Sequence, residues 1–217
     1  MIIYVILTMI EPGFYCLNKP RGISSNGCLT KFKKEHKIPR SVKVGYAGTL
    51  DLLAEGLLVV GVGKEFTKKL QQISDSEKTY IADINISGWT ESGDLEQPVN
   101  SNEKSEIPSS EQVKEVLLSM VGPQMQIPPS FSAKKVNGQR AYNMAREGQV
   151  VELKSCPIEI FDISLISYSY PTMKIEVTCS KGTFIRVLAM DIGKKLTGGG
   201  YLEKLFRTKV FNFEIDS

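Results

Sequence analysis

The chain is poor in the residues that many enzyme classes need. Histidine occurs once in 217 residues, as His36 in the run Lys33-Lys34-Glu35-His36-Lys37, so a histidine-based zinc site or a Ser-His-Asp triad has too little to build on. The four cysteines, Cys16, Cys28, Cys156 and Cys179, are far apart and form no Cys-x-x-Cys pair; they read as reduced thiols rather than a disulfide framework or a metal cage. Neither Gly-x-x-x-x-Gly-Lys-Ser/Thr nor Gly-x-Gly-x-x-Gly occurs, which removes the usual nucleotide cradles. The longest apolar run, Met1 to Ile10, is about half the length that a membrane-spanning helix requires. It also lacks the basic start and small-residue cleavage site of a secretory signal. Residues 1 to 8 are expected to be an upstream start or an extra edge strand, and the cytoplasm is the expected compartment.

What is present is enough apolar material, 41% of residues, to bury one core or at most two small ones. A single domain over 1–217 is the simplest expectation. Net charge is only +3, but its distribution is uneven. Between Lys19 and Lys43 eight basic residues face one acid, and between Lys174 and Lys209 eight face three, whereas Asp75 to Glu115 holds ten acids and three lysines. Such blocks suit a basic face toward a phosphate backbone, or equally a set of solvated helix surfaces.

The periodicity is mixed. Phe14 to Leu17 reads as a strand ahead of a turn, Asn18 to Gly22, and Ser24-Ser25-Asn26 as the cap of a helix carrying Leu29 and Phe32 inward. Phe66, Leu70 and Ile73 have helical spacing, and Lys78 to Ser87 alternates with Tyr80, Ala82, Ile84 and Ile86 on one face. Ser109 to Gln112 offers a capping box ahead of Val113, Val116, Leu117 and Met120. Met173, Ile175, Val177 and Cys179 alternate as a strand. Beyond Thr183 a helix is expected with Leu188, Ala189, Ile192 and Leu196 inward and Arg186 in its first turn. A cation there opposes the helix dipole and is more natural beside a carboxylate.

The densest stretch is Gly45-Tyr46-Ala47-Gly48-Thr49-Leu50-Asp51-Leu52-Leu53-Ala54-Glu55-Gly56-Leu57-Leu58. Glycines before Asp51 permit a tight turn, and the apolar run after Gly56 reads as a buried strand, so Asp51 is expected at the lip of the core. Turn-forming and helix-capping are the commoner uses of such an aspartate.

This stretch resembles the signature of the TruB-type tRNA pseudouridine synthases, with Tyr46, Ala47 and Leu52 where the family usually has His, Thr and Pro. Further motifs follow in the family's order: Lys19-Pro20-Arg21-Gly22, Lys78-Thr79-Tyr80, Gly88 to Asp94, Pro128 to Gly148, Cys179 to Arg186 with Phe184 in place of Tyr, and Leu205-Phe206-Arg207-Thr208. The resemblance implies an α/β (α+β) fold with a mixed, mostly antiparallel sheet and an RNA-gripping insertion at about 124–150. It implies isomerisation of uridine to pseudouridine in the T-loop of tRNA, at position 55, on a flipped-out base. Catalysis would fall to Asp51 with Tyr80 and Arg186. RNA contacts would involve Lys19, Tyr46, Lys78, Lys134, Arg140, Arg146 and Leu205. No metal or cofactor is implied, and a monomer acting on the tRNA T-arm is expected. The chain stops about ten residues after Arg207, which leads to the expectation that the family's usual C-terminal RNA-binding (PUA-like) domain is missing. The alternatives are a guide-RNA-dependent synthase, a non-catalytic RNA-binding module of the same fold, and a nucleosidase that releases uracil.

Overall fold

A computed structural model describes residues 10–102, 106–129, 135–136, 139–140 and 153–216. The expectation for residues 1 to 8 therefore lies outside the described residues. The chain comprises two compact units, 1–76 with 208–217, and 77–207.

The first unit is built on three strands from its N-terminal part, with a two-residue strand, Phe213–Glu214, paired antiparallel to Lys209 and Val210. Strand β1 (Gly13–Lys19) pairs antiparallel with β3 (Ala54–Val62), which also pairs with β2 (Val44–Ala47). Helix α1 (Ser25–Glu35) lies between β1 and β2 in the chain, and α2 (Lys64–Ser74) follows β3. Strand β3 is buried at eight of its nine positions, in keeping with the unbroken apolar run Leu57 to Val60. Leu57, Val59, Leu70 and Ile73 form one cluster, and Leu29, Phe32, Ile38 and Val60 form another. Burying each such aliphatic side chain contributes roughly 1.5–3 kcal/mol. The expected inward residues of both helices are therefore in the core, with Phe66 half-buried against Phe14.

The second unit has the strand order β12–β4–β11–β10–β7. Its strands are β4 (Lys78–Asn85), β7 (Gly122–Gln126), β10 (Cys156–Ser169), β11 (Thr172–Cys179) and β12 (Tyr201–Val210), the last running on into the residues of the first unit. The β4–β11, β11–β10 and β10–β7 pairings are antiparallel. Every second residue of β4 from Lys78 and of β11 from Met173 is buried, so the alternation seen in the sequence is the inward face of a sheet. Two short ribbons also lie in this unit: β5 (Gly88–Trp89) with β6 (Asn100–Ser101), and β8 (Lys135–Val136) with β9 (Gln139–Arg140). Helices α3 (Ser110–Leu118) and α4 (Ile185–Thr197) bury Val113, Leu117, Leu188, Ala189 and Ile192. Leu196, expected to face inward, is only half-buried. The capping box of α3 is formed: the Gln112 N–H donates to Ser109 Oγ at 3.2 Å, and the Ser109 N–H donates to Gln112 Oε1 at 2.7 Å.

Candidate active site

Asp51 sits in the turn that joins β2 to β3 and is exposed. Gly48, three residues earlier, has φ +66°, a left-handed conformation that a side chain would oppose. The turn is held through consecutive backbone groups. Ser25 Oγ donates to the Leu50 carbonyl at 3.0 Å and accepts from the Leu50 N–H at 2.9 Å. The Gly22 N–H donates to the Leu52 carbonyl at 2.8 Å, and the Ala54 N–H to the carbonyl of Asp51 itself at 3.2 Å. Three successive carbonyls centred on Asp51 thus have identified donors.

Lys19, for which the resemblance implies an RNA contact, is fully buried. Its Nζ donates to the carbonyls of Pro20 at 3.0 Å and Ile23 at 2.7 Å. A buried ammonium must be met by acceptors, and here the turn's own backbone supplies two of them, so Lys19 shapes the turn that carries Gly22 and Ser25. Tyr46 lies on β2 opposite Val60, half-buried against the cluster that contains Phe32.

In the second unit, Tyr80 is buried on β4 opposite Val177, and Lys78 is buried opposite Cys179. Burial pushes the Cys179 thiol up to about 11, with Thr183 and the Lys78 charge pulling the other way. It is therefore a packed thiol and not a nucleophile. Leu205 is buried on β12.

Arg186 falls in the first turn of α4, as expected, and is 3% exposed. The carboxylate beside it in this unit is Asp94: Arg186 Nε lies 3.5 Å from Asp94 Oδ2, and its NH1 donates to the Ser92 carbonyl at 2.9 Å. Asp94 is itself organised by its own loop. Ser92 Oγ donates to Asp94 Oδ1 at 2.6 Å, the Glu96 N–H donates to the same oxygen at 3.0 Å, and Thr90 Oγ1 donates to the Asp94 carbonyl at 2.7 Å. Gly93 lets this loop lie flat on α4. Its φ is +75°, and a Cβ there would come within 2.8 Å of Met190 Sδ and 3.1 Å of the Arg186 carbonyl. From the other side, Gln126 brackets the start of α4, accepting from the Phe184 N–H at 2.8 Å and donating to the Phe184 carbonyl at 3.2 Å.

Ser25, Ser92, Asp94 and Gln126 were not among the expected site residues. Asp94 and Ser92 stand in the Gly88–Asp94 motif, and Ser25 in the expected helix cap. Gln126 has no local signal, because its partner is 58 positions away in the chain. Lys134 and Arg146, and most of the expected 124–150 insertion, lie outside the described residues; Arg140 is placed only as the β9 partner of Lys135. Among the described residues no group of three His, Cys, Asp or Glu side chains could hold a metal ion, and no helix is long and apolar enough to cross a membrane.

Residues 34–185, a segment that contains both Asp51 and Tyr80, match the TruB family pseudouridylate synthase N-terminal domain. The chain belongs to the TruB family of pseudouridylate synthases. It is 43% identical over 204 residues to tRNA pseudouridine synthase B of Parabacteroides distasonis, covering 92% of this chain and 86% of that one. It is 44% identical over 177 residues to the protein of the same name from Bacteroides fragilis, covering 82% and 76%. Among solved structures it resembles the crystal structure of a Cbf5–Nop10–Gar1 complex with a TM-score of 0.73 at 22% identity; the match covers 96% of this chain and spans about half of the other. That likeness supports the pseudouridine synthase fold, a mostly antiparallel sheet flanked by helices, as the resemblance implied. Membership of the TruB family makes the chain an isomerase.

Proposed function

We propose that this protein is a tRNA pseudouridine synthase acting in the T-loop, at position 55, and that Asp51 is its essential carboxylate. The reading is supported chiefly by the family match through Asp51, together with the exposure of that residue on a turn pinned on both sides. In the reaction the bond between N1 of uracil and C1′ of ribose breaks, the base turns, and a bond from C5 to C1′ replaces it. The C5 proton leaves and N1 gains one. There is no net oxidation, so the chemistry calls for no redox cofactor.

In this proposal the target uridine is extruded from the loop, at a cost of a few kcal/mol in stacking and pairing. Asp51 acts on it as nucleophile or base. Tyr80 stacks on the base and helps remove the C5 proton, while Arg186 contributes positive charge to the reaction. Leu205 lines the pocket, and Tyr46 covers the gap left in the RNA, since any flat ring can stack on a base. Lys78, Lys134, Arg140 and Arg146 contribute charge toward the RNA, and the protein works as a cytoplasmic monomer.

The test is to incubate a T-arm stem-loop with the protein and measure pseudouridine at position 55. Asp51→Ala should abolish product while leaving RNA affinity within a few-fold. Unchanged product would overturn the assignment. Binding without product by the unaltered protein would favour an RNA-binding module, free uracil a nucleosidase, and product only with an added guide RNA a guided synthase.

A further inference from the structure

Ser25 sits at the start of α1, where a serine ordinarily caps the helix. That task is already done by its neighbour: the Gly27 N–H donates to Ser24 Oγ at 3.0 Å, and Ser24 has the extended backbone of an N-cap. The Ser25 hydroxyl turns instead to a residue 25 positions away. It is 1% exposed, and it uses its one hydrogen and one of its lone pairs on the two backbone groups of Leu50. Leu50 is also buried, at 4%, and immediately precedes Asp51. On the other side of Asp51, the Leu52 carbonyl is taken by Gly22, from the turn that leads into Ser24 and Ser25. The segment from Lys19 to Ser25 thus grips the Asp51 turn before and after the carboxylate, and Ser25 is the only side chain among these donors.

We infer that Ser25 is a positioning residue for the reaction: its hydroxyl fixes the backbone that carries Asp51, and through it the direction of the carboxylate. The inference rests on the assignment of Asp51 above. With alanine at position 25, a buried N–H and a buried carbonyl both lose their partner, and the turn is free to relax. A displacement of about 1 Å at a reacting group can cost on the order of 100-fold in rate, whereas RNA affinity, gathered over many contacts, should hardly change.

The experiment compares the unaltered protein, Ser25→Ala and Ser25→Cys. It measures single-turnover pseudouridine formation at saturating T-arm RNA, RNA affinity, and amide hydrogen exchange of residues 48–53 without RNA. We expect Ser25→Ala to slow the single-turnover step about 10- to 100-fold, to change affinity less than 3-fold, and to speed exchange at 48–53 but not in β3. Ser25→Cys keeps the shape with a weaker donor and acceptor and should fall between. If Ser25→Ala does not fold, Ser25→Cys decides alone. A Cys variant with the unaltered rate and exchange overturns the inference, as does loss of rate and affinity in equal measure. If the unaltered protein makes no pseudouridine, the function assignment fails instead. The exchange comparison then still reports whether Ser25 orders the turn.

Discussion

Asp94 and Arg186, 92 positions apart in the sequence, meet inside the second unit with the carboxylate 3.5 Å from Nε and both side chains at most 5% exposed. Removing one partner of a buried pair leaves the other charge in a poor solvent, which typically costs 3–5 kcal/mol. Here the Ser92 carbonyl retains NH1. Asp94→Asn is accordingly expected to lower stability by about 3 kcal/mol, measured by urea denaturation, and to reduce the pseudouridine yield further than the loss of folded protein explains.

Tyr80 lies on the buried face of β4. Tyr80→Phe keeps the ring and loses only the hydroxyl, so stacking on a base should survive. General acid–base groups contribute typically 100-fold or more, and a fall of about that size in single-turnover rate with RNA affinity unchanged is expected. Equal losses in rate and affinity would place Tyr80 in binding alone.

Cys179 supplies a pH prediction. Its thiol has a folded value of about 11 against 9.0 for the free group. Because the folded value is the higher, the neutral thiol is favoured by folding. The contribution is whole below pH 9 and is lost as pH rises from 9 through 11, by up to about 3 kcal/mol. Cys179→Ala, lacking the titration, should show a shallower decline in denaturation midpoint across pH 8–11 than the unaltered protein.

The α3 cap is a local test of stability. Ser109→Ala removes the acceptor for the Gln112 N–H and should cost about 1 kcal/mol, seen as a lower thermal midpoint without a change in single-turnover rate.

Much of this architecture is visible in the sequence because it is written locally. The alternation of β4 and β11, the Ser109 box and the first-turn position of Arg186 all depend on neighbours within a few residues. Asp51 also stood out, since glycines and a following apolar run define a turn at a core edge. What local pattern could not disclose is partnership across long separations: Ser25 with Leu50, Gln126 with Phe184, Asp94 with Arg186. The burial of Lys19 is hidden from local pattern for a related reason. A lysine in a turn is ordinarily solvated, and only tertiary packing brings the carbonyls of Pro20 and Ile23 around its ammonium.

That enclosed ammonium has a practical consequence. Amine-directed reagents and acetyl donors need a lysine they can touch, and this one has no surface to offer while the turn is intact. Protection of Lys19 in a mass-spectrometric footprint would therefore follow the integrity of the segment that holds the Asp51 turn, and its labelling would announce that the segment had come apart.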